Sequence, residues 1–157
     1  MVNRLTDQVF YIRENDDWVL KRTQDIFNDK EVVVFGLPGA FTPTCSAFQL
    51  PKFEDLYDEF KDLGIDEVYC TAVNDSFVMN AWFEQQGITK VKALPDGNGD
   101  FAKSVNMIND FTNRGFGMRS WRYCMYVKNA EIKVRYTEWG CLLYTSDAAD
   151  EEDSVDL

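Results

Sequence analysis

The most informative segment of the sequence is Val32-Val-Val-Phe-Gly-Leu-Pro-Gly-Ala-Phe-Thr-Pro-Thr-Cys45-Ser46. Its first part is an apolar, β-branched run, which is typical of a strand buried on both faces. A loop rich in proline and glycine follows. From Ser46 onward, apolar residues recur at steps of three and four, which predicts a helix that stops near Gly64. Cys45 therefore stands where the predicted helix begins.

A cysteine at the start of a helix is predicted to be reactive. The unpaired N–H groups and the dipole at a helix N-terminus favour negative charge, so they bias a thiol towards the thiolate. Thr42 can aim its hydroxyl at the sulfur, and Pro38 stiffens the loop. Arg119 and Arg122, just before a predicted strand, are the candidate cations. The spacing alone leaves open the alternative that Cys45 is only a small buried hydrophobe.

Strands and helices alternate around this segment, and a hairpin closes the chain, so the pattern predicts an α/β fold with a mixed sheet. The predicted elements are two hairpins, two further apolar strands and a second helix. The two hairpins are Gln8–Ile12 with Trp18–Lys21 and Tyr123–Val127 with Glu131–Tyr136. The two further strands are Glu67–Val73 and Val91–Leu94. The second helix is capped by Asp75 or Ser76, and its predicted inner face is Phe77, Val78, Ala81 and Trp82.

Composition excludes several classes of protein. The 157 residues suit one domain, and 45% hydrophobic content excludes a disordered chain. There is no apolar run of the roughly 18 residues that a membrane span needs. The first residues lead into no apolar segment typical of a signal peptide, so we expect a cytoplasmic protein. The absence of histidine excludes Ser-His-Asp and Cys-His catalysis. We expect no metal and no cofactor, and the net charge of −11 argues against nucleic-acid binding.

The four cysteines are Cys45, Cys70, Cys124 and Cys141, and no two form a Cys-x-x-Cys pair. This spacing argues against a zinc ribbon and against a dithiol redox motif. Cys70 and Cys124 fall inside predicted strands, so we expect both to be buried and inert.

Four motifs in the same order resemble the peroxiredoxins. Pro38-Gly-Ala-Phe-Thr-Pro-Thr-Cys45 resembles their Pro-x-x-x-Thr-x-x-Cys active-site motif. Together with the stretches 73–82, 94–99 and 116–123, it is most similar to the atypical type-five-like branch. Within that branch it is closest to the peroxiredoxin part of bacterial hybrid peroxiredoxin–glutaredoxin proteins. The resemblance implies a thioredoxin-like fold, with a central mixed sheet flanked by helices and an N-terminal β-hairpin. It also implies an antioxidant enzyme that reduces hydrogen peroxide and alkyl hydroperoxides.

The resemblance also assigns roles to individual residues. It implies that Cys45 is the peroxidatic cysteine, whose thiolate becomes sulfenic acid. Thr42 would hydrogen-bond the thiolate and the peroxide, Pro38 would shield the site from water, and Arg122 would be the active-site arginine. The backbone N–H groups of Thr44 and Cys45 would stabilise the leaving oxygen.

No residue matches a resolving cysteine of the family. The resemblance therefore implies a one-cysteine cycle, in which glutathione, glutaredoxin or thioredoxin is the reductant. Arg119 is expected to be a neighbour of Arg122 in a supporting position. The family forms dimers through loops near the active site, so we expect a homodimer in which Phe41, Phe77 and Phe116 supply apolar contacts.

The sequence departs from the family at its C-terminal end. We interpret residues 1–140 as a peroxiredoxin domain that lacks the family's closing C-terminal helix. Residues 141–157 carry six acids and no base, and we interpret them as a disordered acidic tail or as a translated sequencing adapter. Two functional alternatives stay open: a non-catalytic thioredoxin-like interaction domain in which Cys45 is structural, and a truncated inactive fragment.

Overall fold

The computed structural model describes residues 3–138, and among these it leaves out the side chains of residues 44–47 and 138. Nine strands, four α-helices and one 3₁₀ turn make up this part of the chain. In order they are β1 (Val9–Glu14), β2 (Asp17–Arg22), α1 (Thr23–Phe27), β3 (Glu31–Gly36), α2 (Thr44–Asp62), β4 (Glu67–Ala72), α3 (Ser76–Gln86), β5 (Lys92–Pro95), α4 (Asp100–Ser104), β6 (Ile108–Asp110), the 3₁₀ turn (Thr112–Arg114), β7 (Met118–Ser120), β8 (Arg122–Lys128) and β9 (Glu131–Glu138).

The central sheet is mixed, with the strand order β5-β4-β3-β8-β9. Strands β3, β4 and β5 run parallel, whereas β8 is antiparallel to both β3 and β9. At one end of the sheet Gly36 pairs with Thr71 on one side and Tyr123 on the other. The end of β3 and the beginning of β8 therefore meet at the same edge of the sheet.

Each face of the sheet carries its own apolar layer. One layer holds Phe10 of the β1–β2 hairpin and Phe101 of α4. The other packs α2 and α3 against β3, where the rings of Phe35 and Phe53 stack with centroids 3.9 Å apart. Burial on both faces explains why β3 is an unbroken apolar run. The predicted mixed sheet with flanking helices and the predicted N-terminal hairpin are confirmed.

The predicted inner face of α3 is right for Trp82, which is buried, and for Val78, which packs against the core, but wrong for Phe77 and Ala81. Asp75 caps the helix as expected, since its carboxylate accepts a hydrogen bond of 2.9 Å from the Val78 N–H. However, Phe77 is 58% exposed. The Ser76 hydroxyl accepts a hydrogen bond from the Arg13 N–H, and this contact with β1 places Ser76 on the buried side of the helix. The buried residues of α3 are Ser76, Met79, Trp82 and Phe83.

A second difference lies between α4 and β8. No strand is predicted there from the sequence, but the structure contains β6 and β7, joined by a loop that begins with the 3₁₀ turn. Strands β6 and β7 pair antiparallel as a separate two-stranded sheet. Three-residue strands of this kind carry too little periodicity to be recognised from sequence.

Within residues 3–138, no helix is both long enough and apolar enough to span a membrane. Over the same part of the chain, no group of three or more His, Cys, Asp or Glu side chains is arranged to hold a metal ion.

Candidate active site

The site is built around the start of α2, where Cys45 is the second helical residue. Pro43 precedes the helix in an extended conformation, and α2 then runs for 19 residues. The N–H groups of its first turn have no carbonyl partner inside the helix. No acidic residue stands in that turn to oppose a negative charge. The backbone at Cys45 therefore presents a partial positive charge, which favours an anion.

Two backbone contacts anchor the loop between β3 and α2. The Leu37 N–H donates to the Thr71 carbonyl at 3.2 Å, which continues the pairing of β3 with β4. The Ala40 N–H donates to Asn74 Oδ1 at 2.9 Å. The next residue, Phe41, has a φ of +62°, in the left-handed region that a bulky side chain rarely adopts. The loop is thus held in a strained conformation just before the helix.

Thr42 uses its hydroxyl within the same loop. Its Oγ1 donates a hydrogen bond of 2.7 Å to the Gly39 carbonyl. The hydroxyl hydrogen is therefore directed at the loop, while the lone pairs of the oxygen remain available to accept. The sequence predicts that the Thr42 hydroxyl donates a hydrogen bond to the sulfur. For that role the hydroxyl must rotate away from the Gly39 carbonyl.

Arg119, in β7, supports the other side of the loop. Its Nη1 donates to the carbonyl of the buried Pro38 at 3.0 Å, and its Nε donates to the Phe116 carbonyl at 3.2 Å. The guanidinium also lies 5.2 Å from the centre of the Phe116 ring. A Cβ on Gly39 would lie only 2.2 Å from Arg119 Nη1, so a larger residue there would displace the end of the Arg119 side chain. Glycine at this position lets Arg119 reach the Pro38 carbonyl, and Arg119 supports the loop.

Arg122, the first residue of β8, occupies a different place. It is only 4% exposed, and its Nη1 donates to Oε1 of Gln49. Gln49 follows Cys45 by one turn of α2, so the two residues share a face of the helix. Arg122 therefore lies against the beginning of α2. Gln49 was missed by sequence reasoning, although a polar residue in the predicted apolar stripe of the helix was a usable signal.

The thiols of β4 and β8 are unreactive at neutral pH. Burial raises the pKa of the Cys70 thiol well above its ordinary value, and the nearby charge of Arg122 offsets only part of this rise. Burial also raises the pKa of Cys124 to about 12. Both thiols are therefore protonated near pH 7. Cys70 is buried as predicted, whereas Cys124 is only half-buried, which corrects the expectation that both would be buried. Cys141 lies outside the described residues.

Comparison with known proteins places the chain in a family. The family model described as Redoxin matches residues 12–143. A peroxiredoxin of Rhizobium etli is 52% identical over 123 residues, which cover 78% of this chain and 69% of the relative. The hybrid peroxiredoxin hyPrx5 of Haemophilus influenzae is 45% identical over 129 residues, which cover 82% of this chain but only 54% of the relative.

A solved structure extends the match to the fold. The antioxidant protein of Plasmodium falciparum, described as a 1-Cys peroxiredoxin, superimposes with a TM-score of 0.83 at 36% identity. The match covers 88% of this chain and 84% of that one. The thioredoxin-like fold expected from the sequence is therefore confirmed. By these matches the chain belongs to the Redoxin family and, within it, to the peroxiredoxins, which are thiol-dependent peroxidases.

Proposed function

We propose that Cys45 is the peroxidatic cysteine and reduces hydrogen peroxide and alkyl hydroperoxides. The observation that carries this proposal is the juxtaposition at the start of α2. Cys45 lies in the first turn of that helix, and Gln49, one turn later, holds the buried cation Arg122. By contrast, Cys70 and Cys124 have raised pKa values that keep them protonated.

The reaction is a two-electron oxidation of the sulfur. The Cys45 thiolate attacks one peroxide oxygen, so an S–O bond forms as the O–O bond breaks. The other oxygen leaves with the electron pair and takes up one proton, giving water or an alcohol, and Cys45 becomes sulfenic acid. The Arg122 charge and the N–H groups of Thr44 and Cys45 stabilise the negative charge that develops on the leaving oxygen.

Three residues of the neighbouring segments have supporting roles in this proposal. Thr42 Oγ1 accepts a hydrogen bond from the O–H of the peroxide, because its own hydrogen is engaged by the Gly39 carbonyl. The buried Pro38 keeps water away from the sulfur. Arg119 holds the Pro38 carbonyl and thereby fixes the loop.

We further propose a one-cysteine cycle completed by an external thiol in the cytoplasm. Burial of Cys70 leaves it out of reach of a sulfenic acid on another element, and the pKa of Cys124 is about 12. Glutathione, glutaredoxin or thioredoxin would reduce the sulfenic acid: one thiol forms a mixed disulfide with release of water, and a second thiol restores Cys45. The similarity to a 1-Cys peroxiredoxin supports this cycle.

We also propose a homodimer formed by the loops around the site. Phe41 and Phe77 are 53% and 58% exposed, and Phe77 contacts Trp18 edge to face with centroids 5.5 Å apart. Large exposed aromatic side chains that cluster are typical of an interaction surface. Phe116 is less available, since it packs against Arg119 and Phe111. We assign the whole reaction to residues 1–140 and no part of it to residues 141–157.

Mass spectrometry after one equivalent of hydrogen peroxide, with a sulfenic-acid trap present, tests the assignment. We expect the trap on Cys45 and not on Cys70 or Cys124. Cys45→Ser should abolish peroxide turnover, while Cys70→Ser and Cys124→Ser should retain most of it. Undiminished turnover in Cys45→Ser would overturn the assignment.

A further inference from the structure

We propose that Gln49 is a further catalytic residue, whose Oε1 holds Arg122 and whose Nε2 donates a hydrogen bond to the bound peroxide. The inference deepens the proposed function and rests on the role assigned to Cys45. It begins from two observations: the contact of Arg122 with Gln49, and the burial of a second polar atom of the same amide.

The contact with Arg122 fixes which way the amide of Gln49 points. A guanidinium group can only donate hydrogen bonds, so the atom that faces Arg122 Nη1 must be the carbonyl oxygen Oε1. The amino group Nε2 then projects from the other side of the amide, with two N–H donors. This arrangement resolves the usual ambiguity between the oxygen and nitrogen of a glutamine side chain.

In the part of the chain that the structure describes, the Nε2 group of Gln49 is a buried donor without an acceptor. The residue is only 4% exposed, and none of the described atoms accepts a hydrogen bond from Nε2. Buried donors are nearly always paired, because losing the hydrogen bonds of water without replacement costs free energy. A donor kept in this state beside a buried cation is explained by a ligand that accepts from it.

The backbone of α2 places this donor at the reacting centre. Gln49 lies one turn after Cys45, and side chains on a helix lean towards its N-terminus. The amide therefore covers the first turn, where the peroxide must approach the sulfur. Arg122 and Gln49 then supply a charged and a neutral donor to the same region. Both donors stabilise the leaving oxygen more strongly as negative charge builds on it.

A double-mutant cycle separates this proposal from a purely structural role. Gln49→Met removes both contacts at similar length, and Arg122→Met removes the cation. If Gln49 only held Arg122, the double variant would be as slow as Arg122→Met. We expect instead that adding Gln49→Met to Arg122→Met slows sulfenic acid formation by a further ~10-fold or more, since one such donor is typically worth about 10²–10³ in rate.

The rates should be taken by stopped flow at a pH above the Cys45 pKa of each variant, so that they refer to the thiolate. Gln85→Met, on the exposed surface of α3, is the matched control and should react like the wild type. Gln49→Glu keeps the acceptor for Arg122 but has no N–H donor, and it should also be slow. Gln49→Glu replaces Gln49→Met in the experiment if Gln49→Met does not fold.

These measurements distinguish a failure of the Gln49 role from a failure of the proposed function. An inactive wild type, or an active Cys45→Ser, would remove the peroxidatic assignment itself. An active wild type in which Gln49→Met adds nothing to Arg122→Met, or in which Gln49→Glu reacts at the wild-type rate, would overturn only the role of Gln49.

Discussion

Asn74 accepts a hydrogen bond of 2.9 Å from the backbone N–H of Ala40, and so ties the loop before α2 to the segment after β4. The tie precedes Phe41, whose left-handed backbone costs a non-glycine residue roughly 1–2 kcal/mol. Contacts from other elements must offset this strain. Asn74 is therefore a positioning residue for the start of α2.

Replacing Asn74 by Ala should slow peroxide reduction, because the strained turn loses an anchor. A displacement of the loop by about 1 Å can cost up to ~100-fold in rate. Asn80→Ala is the matched control, because the Asn80 amide also bonds to a single backbone group, the Arg13 carbonyl, at 3.1 Å. Stopped-flow rates for both variants measure the difference. Equal rates would show that the Asn74 contact does not position the site.

The two arginines should differ in the size of their effects. Arg122→Met should slow the reaction by about 10²–10³ and raise the pKa of Cys45, since it removes a charge placed against α2. Arg119→Met removes the hydrogen bonds to the Pro38 and Phe116 carbonyls and acts through the loop, so its effect should be smaller and should leave the pKa of Cys45 nearly unchanged. Thiolate absorbance against pH measures both values. A larger effect at Arg119 would reverse the two assignments.

Glu54 should stabilise the fold at neutral pH and lose this contribution in acid. Burial raises the pKa of its carboxyl, but hydrogen bonds from the N–H groups of Val91, Thr89 and Lys90 lower it further, to a net value below the ordinary one. The stability is therefore present above the unfolded pKa and falls as pH drops through the folded pKa.

Glu54→Gln should consequently be less stable than the wild type at pH 7, by about 1 kcal/mol after allowing for solvent screening. The difference should shrink as the pH falls below 4.5, the ordinary pKa of the group. Urea unfolding at several pH values measures it. Glu59→Gln, at an exposed position on the same helix, is the control. A difference that does not change with pH would contradict this account.

The contribution of Asp96 to stability should depend on pH with the opposite sign to that of Glu54. Burial raises its pKa from 3.8 to about 6, although the N–H groups of Phe101 and Ala102 donate to the carboxylate. The folded state then binds the proton more tightly than the unfolded state. Stability is lost as pH rises through this window, by at most about 3 kcal/mol. Relative to Asp96→Asn, the wild type should weaken between pH 4 and 6. A flat difference in urea unfolding would refute this.

The proposed dimer should depend on Phe77. Phe77→Asp places a charge in the aromatic surface formed with Trp18, so the variant should sediment as a monomer at concentrations where the wild type is dimeric. Leu63→Asp is the control. Leu63 is 79% exposed and directly follows α2, at the end of the helix away from Cys45. If the wild type is a monomer at high concentration, the dimer proposal fails.

Local signals explain what could be predicted from the sequence. The apolar run of β3, the helical period of α2 and the cap at Asp75 each depend on neighbouring residues, and each was found. The inner face of α3 was found only in part, because the contact that buries Ser76 comes from Arg13, 63 positions away. The contact of Gln49 with Arg122 was missed for the same reason, since the two residues are 73 positions apart.

The antiparallel placement of β8 beside β3 has a consequence for how the enzyme becomes active. Arg122 meets Gln49 across 73 positions, and Arg119 meets Pro38 across 81. Closing loops of that length costs conformational entropy, so we expect these contacts to form after the local ones within α2. A refolding chain should therefore form α2, with Cys45 at its start, before the two arginines reach their positions. We expect peroxide reactivity to appear only once β8 has paired with β3.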